Sequence, residues 1–467
     1  MFKMSVIDSI IENLPEVSGP TQKKLSFKEK LKWTGIVLVL FFILGMIPLF
    51  GLGQNALTQF EYLSTVLAAK FGSIISLGIG PIVTASIILQ LLNGASILKM
   101  DLTTHEGKKR FQGIQKMLSI VIILVEAAIY VFMGGLAPAA DFIGTSAYMQ
   151  LQLILVFQLF LGGMLILFMD EVVSKWGFGS GISLFIAAGV SQSIFIRALS
   201  PLSSTLNPDF ATGAIPALFQ FLAAGDPVNA GLMAAAVIAT IIVFAIAVYA
   251  QAMKIEIPLS FGRVRGYGIR WPLSFIYTGV IPVILVSALM ANVQLWARLL
   301  QNWGHPILGT FVGNSPNSGL ITWFTSPDIV GKIIKGSIVS ADFAHALAYM
   351  LIMILGCVVF SIFWVQTSGM DARSQAKQIM SSGLQIPGFR KDQRILEHLL
   401  NRYIHPLTIM GAIAIGFLAS IADLTGALTS GTGILLAVMI IYKLYEEISK
   451  QHMMDMNPMM RKFMGGL

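Results

Sequence analysis

Residues 78–93 read GIGPIVTASIILQLLN, a stretch apolar enough to lie in a membrane yet opening on Gly78, Gly80 and Pro81. Glycine adds backbone freedom and proline lacks a donor, so neither suits the interior of a continuous helix. In a bilayer such a break survives only where neighbouring protein or a water-filled cavity satisfies the freed backbone. The stretch therefore reads either as the wall of a pore or cavity, or as a kinked span packed among others.

Outward from there, the whole chain is apolar. Of its 467 residues 55% are hydrophobic and 12% charged, with a mean hydropathy of +0.78. That balance, gathered into long runs, excludes an ordinary soluble domain and indicates many membrane spans. The single cysteine, Cys357, excludes an intramolecular disulfide framework. Residues 1–32 lack the short apolar core and cleavage site of a secretory signal, so the first span is expected to stay.

Hydropathy places ten spans of about 20 residues each, at 33–50, 73–93, 113–135, 149–169, 177–199, 231–253, 272–296, 341–365, 406–421 and 426–445. Residues 26–32, SFKEKLK, read as a basic amphipathic helix on the membrane surface, with Ser26 as its N-cap. Between the first two spans, Leu57, Phe60, Leu63 and Leu67 recur at helical spacing beside Gln59 and Glu61. This segment, 55–69, is too short to cross, and reads as a re-entrant half-helix or an amphipathic surface helix. All but five of the 31 Lys and Arg fall on one side of this topology; the five are Lys70, Arg197, Arg298, Lys332 and Lys335. Both termini are accordingly expected in the cytoplasm.

Ten spans divide five and five around the proline-punctuated loop 200–230. An odd number per half gives the halves opposite topology, as in many transport folds. The expected organisation is a cytoplasmic segment 1–32, a first half 33–199, a second half 231–445 with cytoplasmic loops 254–271 and 366–405, and a tail 446–467.

Chemistry is sparse. There is no HExxH, no cysteine pair and no P-loop lysine, so no metal or nucleotide cofactor and no enzymatic activity are expected. Glu126 is the one carboxylate deep within a span. It is either a functional group, because isolation in hydrocarbon is costly, or a residue hydrogen-bonded to a neighbouring span. The basic loops at 258–272 and 388–394 follow from the charge asymmetry alone, but they also suit an RNA or acidic partner.

Longer segments carry a resemblance. FKEKLKW (27–33), LGIGPIVTASIILQLL (77–92), FQGIQK (111–116), DEVVSKWGFGSGISLFIAAGVSQ (170–192), ANVQLW (291–296), GFRK (388–391) and GALTSGTGILL (426–436) are similar, in order and over the whole length, to the SecY family. That family supplies the central subunit of the Sec protein-conducting channel, and the flavour here is archaeal. The resemblance implies an all-α membrane protein with ten transmembrane helices in two inverted halves around an hourglass pore. It implies a pore ring at Ile79, Val83, Ile182, Ile186, Ile284 and Leu436, and a plug including Asn55, Leu57, Phe60, Glu61, Leu63 and Leu67. A lateral-gate polar cluster falls at Thr84, Glu126 and Asn292, and ribosome or motor docking at Arg263, Arg265, Arg270, Arg390 and Lys391. Lys70 departs from the arginine expected after the plug; it keeps the charge and loses the planar fork.

The implied function is a passive channel that passes unfolded polypeptides across the membrane and releases hydrophobic segments sideways into lipid. The implied partners are a ribosome, a signal-bearing nascent polypeptide, a SecE-like gamma subunit, a small beta or SecG-like subunit, and membrane lipids. The implied location is the cell membrane, or the endoplasmic reticulum membrane in a eukaryote. A small-molecule secondary transporter with inverted repeats is the rival class.

Overall fold

The protein is described here by a computed structural model covering residues 11, 13–21, 25–55, 69–94, 97–98, 100, 104–203, 210–261, 268–312, 315–381, 384–385 and 392–456. It is mostly helical. The first half runs α1 (Phe27–Leu44), β1 (Gln54–Asn55), α2 (Gly80–Gly94), α3 (His105–Phe132), β2 (Leu136–Ala137), α4 (Ser146–Trp176) and α5 (Gly181–Leu199). A short α6 (Ala214–Ala223) follows. The second half runs α7 (Pro227–Ala252), β3 (Lys254–Phe261), β4 (Gly268–Ser274), α8 (Ile281–Asn302), β5 (Thr310–Val312) and β6 (Ser315–Ser318). It continues through α9 (Ile329–Ile334), α10 (Ser340–Thr367), α11 (Ala372–Ser381), β7 (Leu384–Gln385), α12 (Gln393–Leu424) and α13 (Gly431–Met456).

Each expected span falls on a helix, and among the described residues seven are long and apolar enough to cross a membrane. The other three are α1, α2 and α13. Charge explains two of them: Lys28, Glu29, Lys30 and Lys32 sit in α1, and Lys443, Glu446 and Glu447 in α13. The third, α2, has 15 residues, or roughly 22 Å at 1.5 Å per residue, short of a hydrocarbon core of about 30 Å.

Four expectations need correction. The segment 26–32 is no separate surface helix: α1 is continuous from Phe27 to Leu44, and Ser26 caps it by accepting from the Glu29 N–H. The second span does not begin as a helix at 73; residues 71–79 form successive turns and α2 starts at Gly80. The loop 254–271 is largely a hairpin, β3 pairing antiparallel with β4. The ninth span begins at Gln393, not 406, with Pro406 inside α12. Apolar Leu396, Leu400 and Ile404 explain that extension, since they bury a helical stripe beneath the hairpin with Ile257 and Leu273.

Burial sorts the spans. In α8 72% of the apolar window is buried, against 17% in α7. The first therefore runs through the middle of the bundle. The second shows Ile238, Ile241, Ile242 and Phe244 outward, a surface suited to lipid.

Candidate pore, gate and docking surface

The entry to α2 is built around the broken stretch. Gly78 takes φ +56°, in the left-handed region that glycine tolerates best. Pro81 then occupies the first helical turn, where its missing N–H costs nothing. The irregular residues before it are held by their own polar groups. The hydroxyls of Ser73 and Ser76 donate to the Lys70 carbonyl at 2.7 and 3.2 Å, and the Gly72 N–H donates to the Ser76 hydroxyl at 2.9 Å.

The six expected ring positions converge. Ile79, Val83, Ile186, Ile284 and Leu436 are buried in one apolar core, and partly buried Ile182 packs against it. That core contains many other residues, so convergence alone does not single these six out. A cavity of about 610 Å³ does more: Val83, Ile182 and Ile284 line it together with Ser86, Gln90, Gln112, Gln115, Ser183, Thr278 and Thr367. Lys108, Asp170, Lys443 and Glu447 border it as well. It is a chamber bounded by helices of both halves, with a mainly apolar wall in which these polar side chains are set.

The gate cluster is partly joined. The Asn292 amide on α8 donates to the Thr84 hydroxyl on α2 at 2.8 Å, and that hydroxyl donates to the Gly80 carbonyl at 2.8 Å. Glu126 on α3 is 2% exposed, and neither of its carboxylate oxygens finds a hydrogen-bond partner. Thr84, which lies beside it, has already given its single proton to Gly80. A carboxyl beside it could bond it only as a donor.

Of the expected plug, Leu57, Phe60, Glu61, Leu63 and Leu67 lie outside the described residues. Its first residue, Asn55, pairs in β1 with Leu136 of β2, next to Gln54 with Ala137. The segment thus leaves from a strand ladder and returns to the serine-held turns at Ala69 and Lys70.

For docking, Arg263, Arg265, Arg390 and Lys391 lie outside the described residues, and Arg270 sits on β4 opposite Pro258. What the linear sequence did not reveal is that the two basic connections share a sheet. β7, from the second connection, pairs with the end of β3: Ser260 with Gln385 and Phe261 with Leu384. Two-residue strands such as β7 carry no readable alternation, so no sequence signal marks this pairing. The sequence reading also passed over Asp423, which lies buried at the end of α12; its position eight residues before the glycine that opens α13 was the available clue.

Among the described residues no group of side chains could hold a metal ion.

Comparison with known proteins agrees over nearly the whole chain. The SecY family profile matches residues 73–445, and the profile for the plug domain of Sec61p matches residues 39–72. The protein translocase subunit SecY of Methanothermobacter thermautotrophicus is 47% identical over 456 residues, covering 97% of each chain. A solved structure of a protein-conducting channel superposes with a TM-score of 0.82 at 43% identity, covering 95% of this chain and 97% of that one. Sec61 in the canine ribosome-channel complex from the endoplasmic reticulum superposes with a TM-score of 0.79 at 43% identity and the same coverage.

Proposed function

The chain belongs to the SecY family, and from that membership we propose that Ile79, Val83, Ile182, Ile186, Ile284 and Leu436 form the seal of its pore. The protein is a multi-pass membrane protein and a protein-conducting channel with a plug domain, not an enzyme. Its archaeal relatives imply the cell membrane as its location. The secondary-transporter reading falls with that membership.

The observation that carries the seal is the cavity whose wall includes Val83, Ile182 and Ile284, one side chain each from α2, α5 and α8. A narrow aliphatic constriction disfavours water and ions without any covalent gate. It also offers no charge or donor with which to select a sequence, which suits an arbitrary unfolded chain. Segment 55–69 is the plug that supports this seal. Thr84, Glu126 and Asn292 hold the lateral gate, through which a hydrophobic segment leaves for lipid at a gain of several tenths of a kcal/mol per leucine, roughly, against about +3 for a central charge. Nothing in the chain hydrolyses a nucleotide, so the drive comes from a partner.

That partner is a ribosome, docked on Arg263, Arg265, Arg270, Arg390 and Lys391; the shared β3–β7 ladder supports one surface made of both connections. Phosphate contacts of this kind weaken steeply with salt. A SecE-like gamma subunit and a small beta or SecG-like subunit complete the assembly, with both termini in the cytoplasm. The test is a stalled nascent chain and a photo-crosslinking probe placed at residue 79 or 284. Crosslinks from both positions are expected; crosslinks confined to lipid-facing controls such as 241 would overturn the seal.

A further inference from the structure

Ile74 in the first half and Phe275 in the second make the same two contacts. The Ile74 N–H donates to the Ile47 carbonyl just past α1 at 3.0 Å, and the Phe275 N–H donates to the Met253 carbonyl at the end of α7 at 2.9 Å. The Ile74 carbonyl lies on Gly162 of α4, where an added Cβ would overlap it. The Phe275 carbonyl lies on Gly411 of α12, where a Cβ would come within 2.6 Å of its oxygen.

The equivalence continues without a gap from SIISLGIGPIV (73–83) to SFIYTGVIPVI (274–284). Gly78 and Gly279 take φ +56° and +65°. Each donates to the residue three before it, Ile75 and Ile276, at 3.0 and 3.1 Å. The matched segments end on Val83 and Ile284, both lining the cavity.

Each fourth span of a half does a second thing. Asp170 of α4 accepts from the Ile182 N–H at 3.0 Å, at the start of α5. Asp423 of α12 accepts from the Thr432 N–H at 2.7 Å, at the start of α13, and from the Tyr349 hydroxyl at 2.7 Å. The opening glycines are pressed onto these ends. A Cβ at Gly181 would lie 2.6 Å from the Asp170 Cα, and one at Gly431 would overlap Ala422. A carboxylate satisfies the orphan donors of a helix start and suits its dipole. Contact between backbones cannot be relieved by a rotamer change, so these seats hold position closely.

We propose that α4 and α12 are equivalent brackets that set the geometry of the seal. Gly162 and Gly411 are positioning residues for α2 and α8, which carry Val83 and Ile284; Asp170 and Asp423 are positioning residues for α5 and α13, which carry Ile182, Ile186 and Leu436. The inference rests on the seal as read above.

The test uses the full chain, assembled with its partner subunits in vesicles, on a Cys357→Ser background. Spin labels at Ser86 and Lys443 report α2 against α13, and labels at Ile281 and Ser183 report α8 against α5. Gly162→Ala is expected to shift the first distance and Gly411→Ala the second, each with a several-fold rise in resting ion conductance. Gly189→Ala on α5, where a Cβ meets nothing within 4 Å, is expected to change neither. Asp170→Ala is expected to raise conductance, and Asp170→Asn, which keeps an oxygen for the Ile182 N–H, to restore it. Should Gly162→Ala fail to assemble, Gly411→Ala and the Asp170 pair carry the test. Unmoved labels across all these variants overturn the brackets. Moved labels with unchanged conductance leave the brackets standing and overturn the seal.

Discussion

Thr84 carries more than its size suggests. Its oxygen takes the Asn292 amide from α8 while its proton goes to the Gly80 carbonyl, so one hydroxyl joins α2 to α8 beside the unpaired Glu126. Thr84→Val keeps the shape and removes the acceptor, leaving the buried Asn292 amide unpaired at a cost of about 1–3 kcal/mol. The expected outcome is a gate that opens to weaker signal sequences, read as export of a reporter whose signal core has been shortened. Export that still demands the full signal core would contradict this role. Glu126 was legible in the sequence as the one carboxylate within a span. That the Asn292 amide takes the oxygen of neighbouring Thr84 was not, because that bond comes from another helix.

At the scale of elements, two tethers stand out. The first is the extended segment before α1. The Val17 N–H donates to Glu171 at 2.9 Å, the Trp176 indole donates to the Ser18 carbonyl at 2.9 Å, and Lys175 pairs with Glu16. The Lys175 hydrogen bond holds the Glu16 carboxyl below its ordinary range. Its contribution is therefore present at neutral pH and lost as pH falls through that lowered value. The pair is largely exposed and worth well under about 1 kcal/mol. Limited proteolysis should show residues 13–21 protected at pH 7 and cut faster as pH falls through that lowered value, with Glu16→Gln cut faster at pH 7 and showing a smaller pH dependence.

The second tether is β3, the central strand of the sheet β4-β3-β7. A proline in a central strand removes a ladder donor. Ser260→Pro is expected to separate the two basic connections and weaken ribosome binding several-fold while leaving every charge in place. Binding at wild-type affinity, measured at physiological salt, would mean that the connections act independently. The basic residues were visible in the sequence; their union was not, because it rests on two backbone pairs and on no side-chain pattern.

At the scale of the molecule, the cavity and the proposed seal belong to neither half alone. α2 and α8 meet through Thr84 and Asn292, and the chamber takes lining residues from both halves. If the channel works by parting these helices, fastening them should stop it. The pair Thr84→Cys and Asn292→Cys, with Cys357→Ser, is expected to lose both secretion and lateral release on oxidation, and to regain both on reduction. Transport that continues at full rate with the crosslink complete would place the exit elsewhere.

The amino-acid sequence by itself determined the membrane class, the ten apolar segments and the family. These follow from local apolar runs, the asymmetry of Lys and Arg, and contiguous motifs. Residues 78–93 already announced an interrupted helix, because glycine and proline act through their own backbones, and left open whether it faced a cavity or packed among other spans. The tertiary structure alone decided which spans lie inside, that the basic connections share a sheet, and that Gly162 and Gly411 seat equivalent carbonyls. Those features arise where backbones far apart in sequence come into contact. A glycine reads the same in a linear string whether or not another chain segment lies against it.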